Sequence, residues 1–128
     1  MDIDPNATIA DSPTSLLGVN CIGLSVKDLD STLAFYHSVT GFELVRREAV
    51  RGSSAADTLF GRADVEYEIA VLLAPNMLLE LIEFKHNANE ITQRMPVQGP
   101  GMTHTWFQSA SGNSGYQRCR DAGARILS

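Results

Sequence analysis

From Val19 onward apolar and polar positions alternate, with Ile22, Leu24 and Val26 on one side and Cys21, Gly23 and Ser25 on the other. A period of two predicts a strand over 19–26. The spacing then lengthens. Leu29, Leu33, Tyr36 and Thr40, flanked by Phe35 and Val39, recur at helical intervals, Asp30 or Ser31 stands where a helix N-cap belongs, and Gly41 supplies a stop. Phe42–Val50 reads as a second strand, Arg51–Ala56 as a loop or short lid, and Glu66–Leu73 as a third strand. Ala74-Pro75-Asn76 is a turn before a fourth strand, Met77–Phe84.

Beyond this point Lys85–Gly101 is polar and carries Pro96, Gly99 and Pro100, the character of a link between modules. Alternation resumes over Met102–Ser109, with His104, Trp106 and Gln108 on one side and Thr105 and Phe107 on the other. Ser111–Ser114 opens a second predicted helix bearing Tyr116 and Cys119, Gly123 closes it, and Arg125–Ser128 begins an extended segment. Displacing the chain against itself by 83 positions lays Cys21 on His104, Leu24 on Phe107, Ser31 on Ser114 and Leu44 on Leu127. The expected organisation is therefore a leader (1–17), a β-α-β-β-β module (18–86), a linker (87–101) and the start of a second module (102–128), incomplete at its second strand.

Composition narrows the class. A chain of 128 residues is one domain's worth, and 44% apolar with 20% charged residues is ordinary for a globular protein. A net charge of −5 argues against a nucleic-acid surface. No apolar run is long enough to span a bilayer, and the acidic start lacks a secretory pattern, so a cytoplasmic location is the expectation. Cys21 and Cys119 are far apart and outside any CxxC spacing, so reduced thiols are expected. No Ser-His-Asp order, P-loop or GxGxxG is present.

The stretch Ile22-Gly23-Leu24-Ser25-Val26-Lys27-Asp28-Leu29-Asp30, with Ala34-Phe35-Tyr36 and Gly41-Phe42-Glu43-Leu44 after it, resembles the opening module of the vicinal-oxygen-chelate superfamily, the glyoxalase, bleomycin-resistance and dioxygenase group. Leu79-Glu80-Leu81-Ile82-Glu83-Phe84 resembles its fourth strand, and Gly99–Phe107 the start of its second module. The resemblance implies an α+β fold: paired β-α-β-β-β modules whose strands curve as a mixed sheet around a shared cleft. It also implies a divalent metal (zinc, nickel, cobalt, manganese or iron) that chelates substrate oxygens. The positions matching the family's ligands are Cys21, Glu80 and His104; the fourth would lie near position 163.

Each of these has a plainer reading. Glu80 and Glu83 are three apart and so face opposite sides of a strand; Glu80 is the candidate ligand or proton-moving catalytic group, or else a substrate contact, with Glu83 exposed. His104 is a ligand or a hydrogen-bonded core histidine. Cys21 departs from the His, Gln or Glu common at its position and is a thiolate ligand or a small apolar filler. Trp106, Gln108 and Ser25 are candidate substrate contacts; Arg46, Arg47 and Arg51 either meet an anionic substrate near the loop or are solvated, and His37 and His86 are given no site role. Two functions follow: a metal-dependent lyase or isomerase, glyoxalase- or epimerase-like, acting on a small oxygenated substrate; or a metal-free binding protein in which Phe60, Tyr67 and Trp106 line an apolar cleft for a planar ligand. An incomplete second sheet would expose a strand edge, so a homodimer is expected.

Overall fold

The computed structural model describes residues 18–85 and 105–126. Four strands, β1 (Cys21–Ser25), β2 (Glu43–Val50), β3 (Tyr67–Leu73) and β4 (Leu78–Phe84), form one open mixed sheet in the order β1-β4-β3-β2. β1 runs parallel to β4, and the other two pairs are antiparallel. Helices α1 (Leu29–Thr40), α2 (Ser54–Phe60) and α3 (Gly112–Asp121) complete the α+β architecture. The expected strand, helix and three further strands between residues 19 and 84 are all present.

Alternation in the strands decides which face meets the helix. Ile22 and Leu24 of β1, Ala70 and Leu72 of β3, and Leu79 and Leu81 of β4 project to one side and pack under Leu29, Leu33 and Tyr36 of α1. Leu29, Leu72 and Leu81 are the largest fully buried side chains. At about 25 cal/mol per Å² of apolar area removed from water, this layer is the main source of stability.

α1 begins earlier than its capping pattern suggests. The N-cap is Asp28, in extended conformation, with its carboxylate accepting the Ser31 N–H at 2.8 Å. A cap at Asp30 or Ser31 would leave Leu29 outside the helix; capping at Asp28 makes Leu29 the first helical residue and points it into the core. Gly41 closes α1 in the left-handed conformation, φ 69°, which costs a glycine nothing.

The expected loop after β2 contains a helix instead. The Ser53 hydroxyl caps α2 by accepting the Ala56 N–H at 3.1 Å, and left-handed Gly52 and Gly61 bracket it. Its Phe60 packs on Tyr67 and Phe84, with ring centroids 5.5 and 5.0 Å apart. The second expected helix is present as α3, capped by Ser111, and lies against α1. Thr105–Ser109, read as a strand from its alternation, has no strand structure. Among the described residues no strand pairs with it. Phe107 instead turns onto Tyr36 and Phe42, with centroids 6.2 and 6.1 Å away, which holds the segment on the α1 side. The leader (1–17), the linker (87–101), His86 and His104 lie outside the described residues.

Candidate functional site

The face of the sheet turned away from α1 carries Cys21, Gly23 and Ser25 from β1, Glu80, Ile82 and Phe84 from β4, and Tyr67, Ile69 and Val71 from β3. The parallel β1–β4 register sets Gly23 beside Glu80. A Cβ on Gly23 would meet Glu80 Oε2 at 3.9 Å, so the glycine leaves a notch over the carboxylate. Within this face Glu80 is half-buried between Val71 and Ile82.

Cys21 and Glu80 are brought together. Burial pushes the Cys21 thiol above its ordinary value; the neighbouring Glu80 charge and its carboxylate hydrogen bond push the same way, and a backbone hydrogen bond from Glu80 opposes them. These influences together favour the protonated thiol beside the carboxylate. Ser25 shares the same face, exposed, two positions past Gly23. Glu80 makes no ion pair among the described residues, whereas Glu66, Glu68 and Glu83 each have a basic partner.

Trp106 and Gln108 do not join this group. They border a groove with Ile22, Phe42, Met77 and Leu79, at the α1-facing side of the sheet, and Trp106 is 85% exposed. His104, the expected partner of Glu80, lies outside the described residues. Of the three rings expected to line an apolar cleft, Phe60 and Tyr67 meet and Trp106 lies apart from them; what sequence reasoning missed is Phe84 and the helix that carries Phe60. Tyr67 and Phe84 are register partners on the Glu80 face, 5.7 Å apart, and Phe60 of α2 completes the trio. A signal was available: Ala56, Leu59 and Phe60 stand at helical spacing behind the capping residue Ser53.

The metal implied by the resemblance can be tested against these donors. Thiolate ligands bind deprotonated, and a stable site needs three or four donors. Among the described residues no group of three His, Cys, Asp or Glu side chains converges. Cys21 and Glu80 are adjacent but engaged with each other. The described donors alone do not fit a metal.

Glu83, on the opposite face, has a structural task. Its Oε2 accepts the Leu29 N–H at 2.7 Å, and its Oε1 meets Lys85 Nζ at 2.9 Å. This carboxylate ties β4 to the first turn of α1 and is half-buried rather than exposed.

Comparisons with known proteins agree with this architecture. Residues 18–128 match the family described as the Glyoxalase/Bleomycin resistance protein/Dioxygenase superfamily. The fold superposes on the crystal structure of a glyoxalase family protein from Bacillus cereus with a TM-score of 0.72 and 23% sequence identity, covering 91% of this chain and 77% of that one. At that identity the likeness speaks for the fold alone. No curated protein matches the chain. Among the described residues no helix is long and apolar enough to cross a membrane.

Proposed function

Because the chain belongs to the glyoxalase, bleomycin-resistance and dioxygenase superfamily, we propose that it binds a small molecule on the Glu80 face of its sheet, in a mode that does not depend on a metal. The observation that carries this reading is the composition of that face. A carboxylate without a basic partner among the described residues sits in an apolar wall, with a three-ring cluster at the wall's far end. Apolar walls with a few placed polar groups are the usual make-up of ligand sites. Glu80 orients the ligand, the Cys21 thiol holds the carboxylate, and the Gly23 notch gives access to it.

A second reading is a metal-dependent lyase or isomerase, and the adjacency of Cys21 and Glu80 favours it. With His104 as a third donor the metal would polarise a substrate carbonyl. The two readings separate in one experiment. Protein stripped with chelator is screened by thermal shift against small planar and oxygenated molecules, in parallel with metal analysis of Glu80→Gln, Cys21→Ser and His104→Ala. Ligand-dependent stabilisation of stripped protein, lost in Glu80→Gln, is the expected result. Stoichiometric metal lost in all three variants, with ligand effects only in its presence, would establish the second reading instead. The outer edge of β1 has no strand partner among the described residues, and pairing of this edge with a second copy would double the 13.9 kDa mass in light scattering.

A further inference from the structure

Two features share the Glu80 face and neither explains the other. One is a charge imbalance. On β2 this face shows Glu43, Arg46 and Glu48, and Arg46 lies 3.7 Å from Glu48. Arg46 occupies the same cross-strand row as Glu80, two strands away through Val71, about 10 Å at the usual strand spacing. Arg47 pairs with Asp30 and Glu68, Arg51 with Glu66, and Lys85 with Glu68 and Glu83. Among the strand residues of this face Glu43, Glu48 and Glu80 outnumber Arg46, so the face is net negative, and Glu80 and Glu43 have no ion pair among the described residues. An anionic ligand would be repelled there and a cation attracted.

The second feature is the ring cluster. Phe60 meets Tyr67 and Phe84 edge-to-face, with interplanar angles of 73° and 83°. Phe60 remains 38% exposed, so the cluster presents ring surface rather than hiding it. It stands four positions along β4 from Glu80, about 13 Å by strand rise, with Ile82 between. Side chains reaching inward from both ends shorten the span a ligand has to bridge. α2 brings Phe60 to the cluster between two left-handed glycines, so this ring is set by the short helix rather than by the sheet.

We infer that this face selects an arylalkylammonium compound, with its planar ring against Phe60, Tyr67 and Phe84, its spacer over Ile82, and its protonated nitrogen at Glu80. The inference rests on the binding reading above and adds the chemical class. Aromatic edges and faces favour a flat ring over a branched alkyl group. An ammonium on a half-buried carboxylate forms a charge-assisted hydrogen bond of roughly twice the strength of a neutral one. Phe60 becomes the residue that sets ring selectivity and Glu80 the one that sets charge selectivity.

The test uses naphthylalkylamines with spacers of about two to four carbons and the matched naphthyl alcohols, titrated into the full chain by calorimetry. In the wild type the amine is expected to bind at least about tenfold tighter than the alcohol. Glu80→Gln should erase that difference. Phe60→Leu, which keeps apolar bulk to seat α2, should weaken both probes severalfold and leave their ratio intact. Leu59→Ala, at a neighbouring 75% exposed position, should change neither. Equal affinity for amine and alcohol would overturn the ammonium assignment while leaving the binding reading standing. An unchanged affinity in Phe60→Leu would overturn the ring subsite. Zinc that occupies Glu80 and resists displacement by the amine would overturn the proposal and the metal-free reading together.

Discussion

Glu83→Ala tests how the fold is tied, because it removes the acceptor of a buried amide together with an ion pair to Lys85. The Leu29 N–H is one of the four amide donors that a helix N-terminus leaves without an intrahelical partner. Leu29 is only 1% exposed, so solvent cannot replace the Glu83 oxygen at 2.7 Å. An orphaned buried donor costs about 1–3 kcal/mol. Loss of a carboxylate at the positive end of the helix dipole adds about 0.3–1 kcal/mol. Glu83→Ala should therefore destabilise by about 1.3–4 kcal/mol. Glu83→Gln keeps a neutral acceptor and should cost about 1 kcal/mol or less by the same reasoning. Urea unfolding followed by far-UV circular dichroism measures both, at constant m-value. Glu80→Gln, three residues away on the other face, serves as the contrast and should stay within about 0.5 kcal/mol of wild type, as surface changes do. If Glu83→Ala unfolds at the wild-type urea midpoint, the N–H finds another acceptor and the assigned bridge between β4 and α1 is wrong.

Leu81 is fully buried among Leu29, Ala70, Leu72 and Leu79, and Leu81→Ala should lower stability by about 2–5 kcal/mol in the same urea assay. Acid should weaken the fold through Glu68. The Arg47 hydrogen bond, then the Arg47 charge and Lys85, hold its carboxyl below its ordinary 4.5 against an opposing burial effect. The unfolded chain takes up this proton first as the pH falls, so the stabilisation is complete above pH 4.5 and fades as the pH drops through the lower folded value. Melting temperatures from pH 6 down to 3 should fall less steeply in Arg47→Met than in wild type. Cys21 should react sluggishly with iodoacetamide near neutral pH in a Cys119→Ser background, since burial and then Glu80 keep its thiol protonated. Glu80→Gln should speed the reaction, and an unchanged rate would break the pairing of these two side chains.

The strands and α1 were legible because their apolar positions repeat cleanly, and one face of each is buried. What escaped the pattern depends on contacts distant in sequence. Glu83 is 54 residues from the amide it caps, and no local spacing marks such a bond. α2 offers only Ala55, Ala56, Leu59 and Phe60 as apolar positions in seven residues, too short for periodicity to outweigh the Gly52-Ser53-Ser54 turn chemistry before it. Alternation over 105–109 was real, but alternation specifies a strand only where a neighbour supplies the ladder; here it turns Phe107 onto α1 and leaves Trp106 outward. The meeting of Cys21 with Glu80 needed the parallel β1–β4 register, which residue order alone does not dictate; the family resemblance had named the two positions without showing their contact.

The division of charge between the two faces comes from one residue. Val45 is a register shift in β2: Leu44 pairs with Leu72, and Arg46 pairs with Val71. Continued without that extra residue, the same ladder would set Val45 against Val71, Arg47 against Ile69 on the Glu80 face, and Glu48 against Glu68 on the α1 face. Like charges directly opposite on neighbouring strands are destabilising. The arginine that now bridges Asp30 and Glu68 would stand on the face with Glu80. The bulge instead places Arg47 opposite Ala70, within 2.7 Å of Asp30, where it braces the helix side. In exchange it sets Arg46 on the Glu80 face, opposite Val71, with Glu48 beside it. Bulges kink and re-aim the strands that carry them. This one keeps Arg47 on the helix side with Asp30 and Glu68, and pairs Glu48 with Arg46 rather than setting it against Glu68.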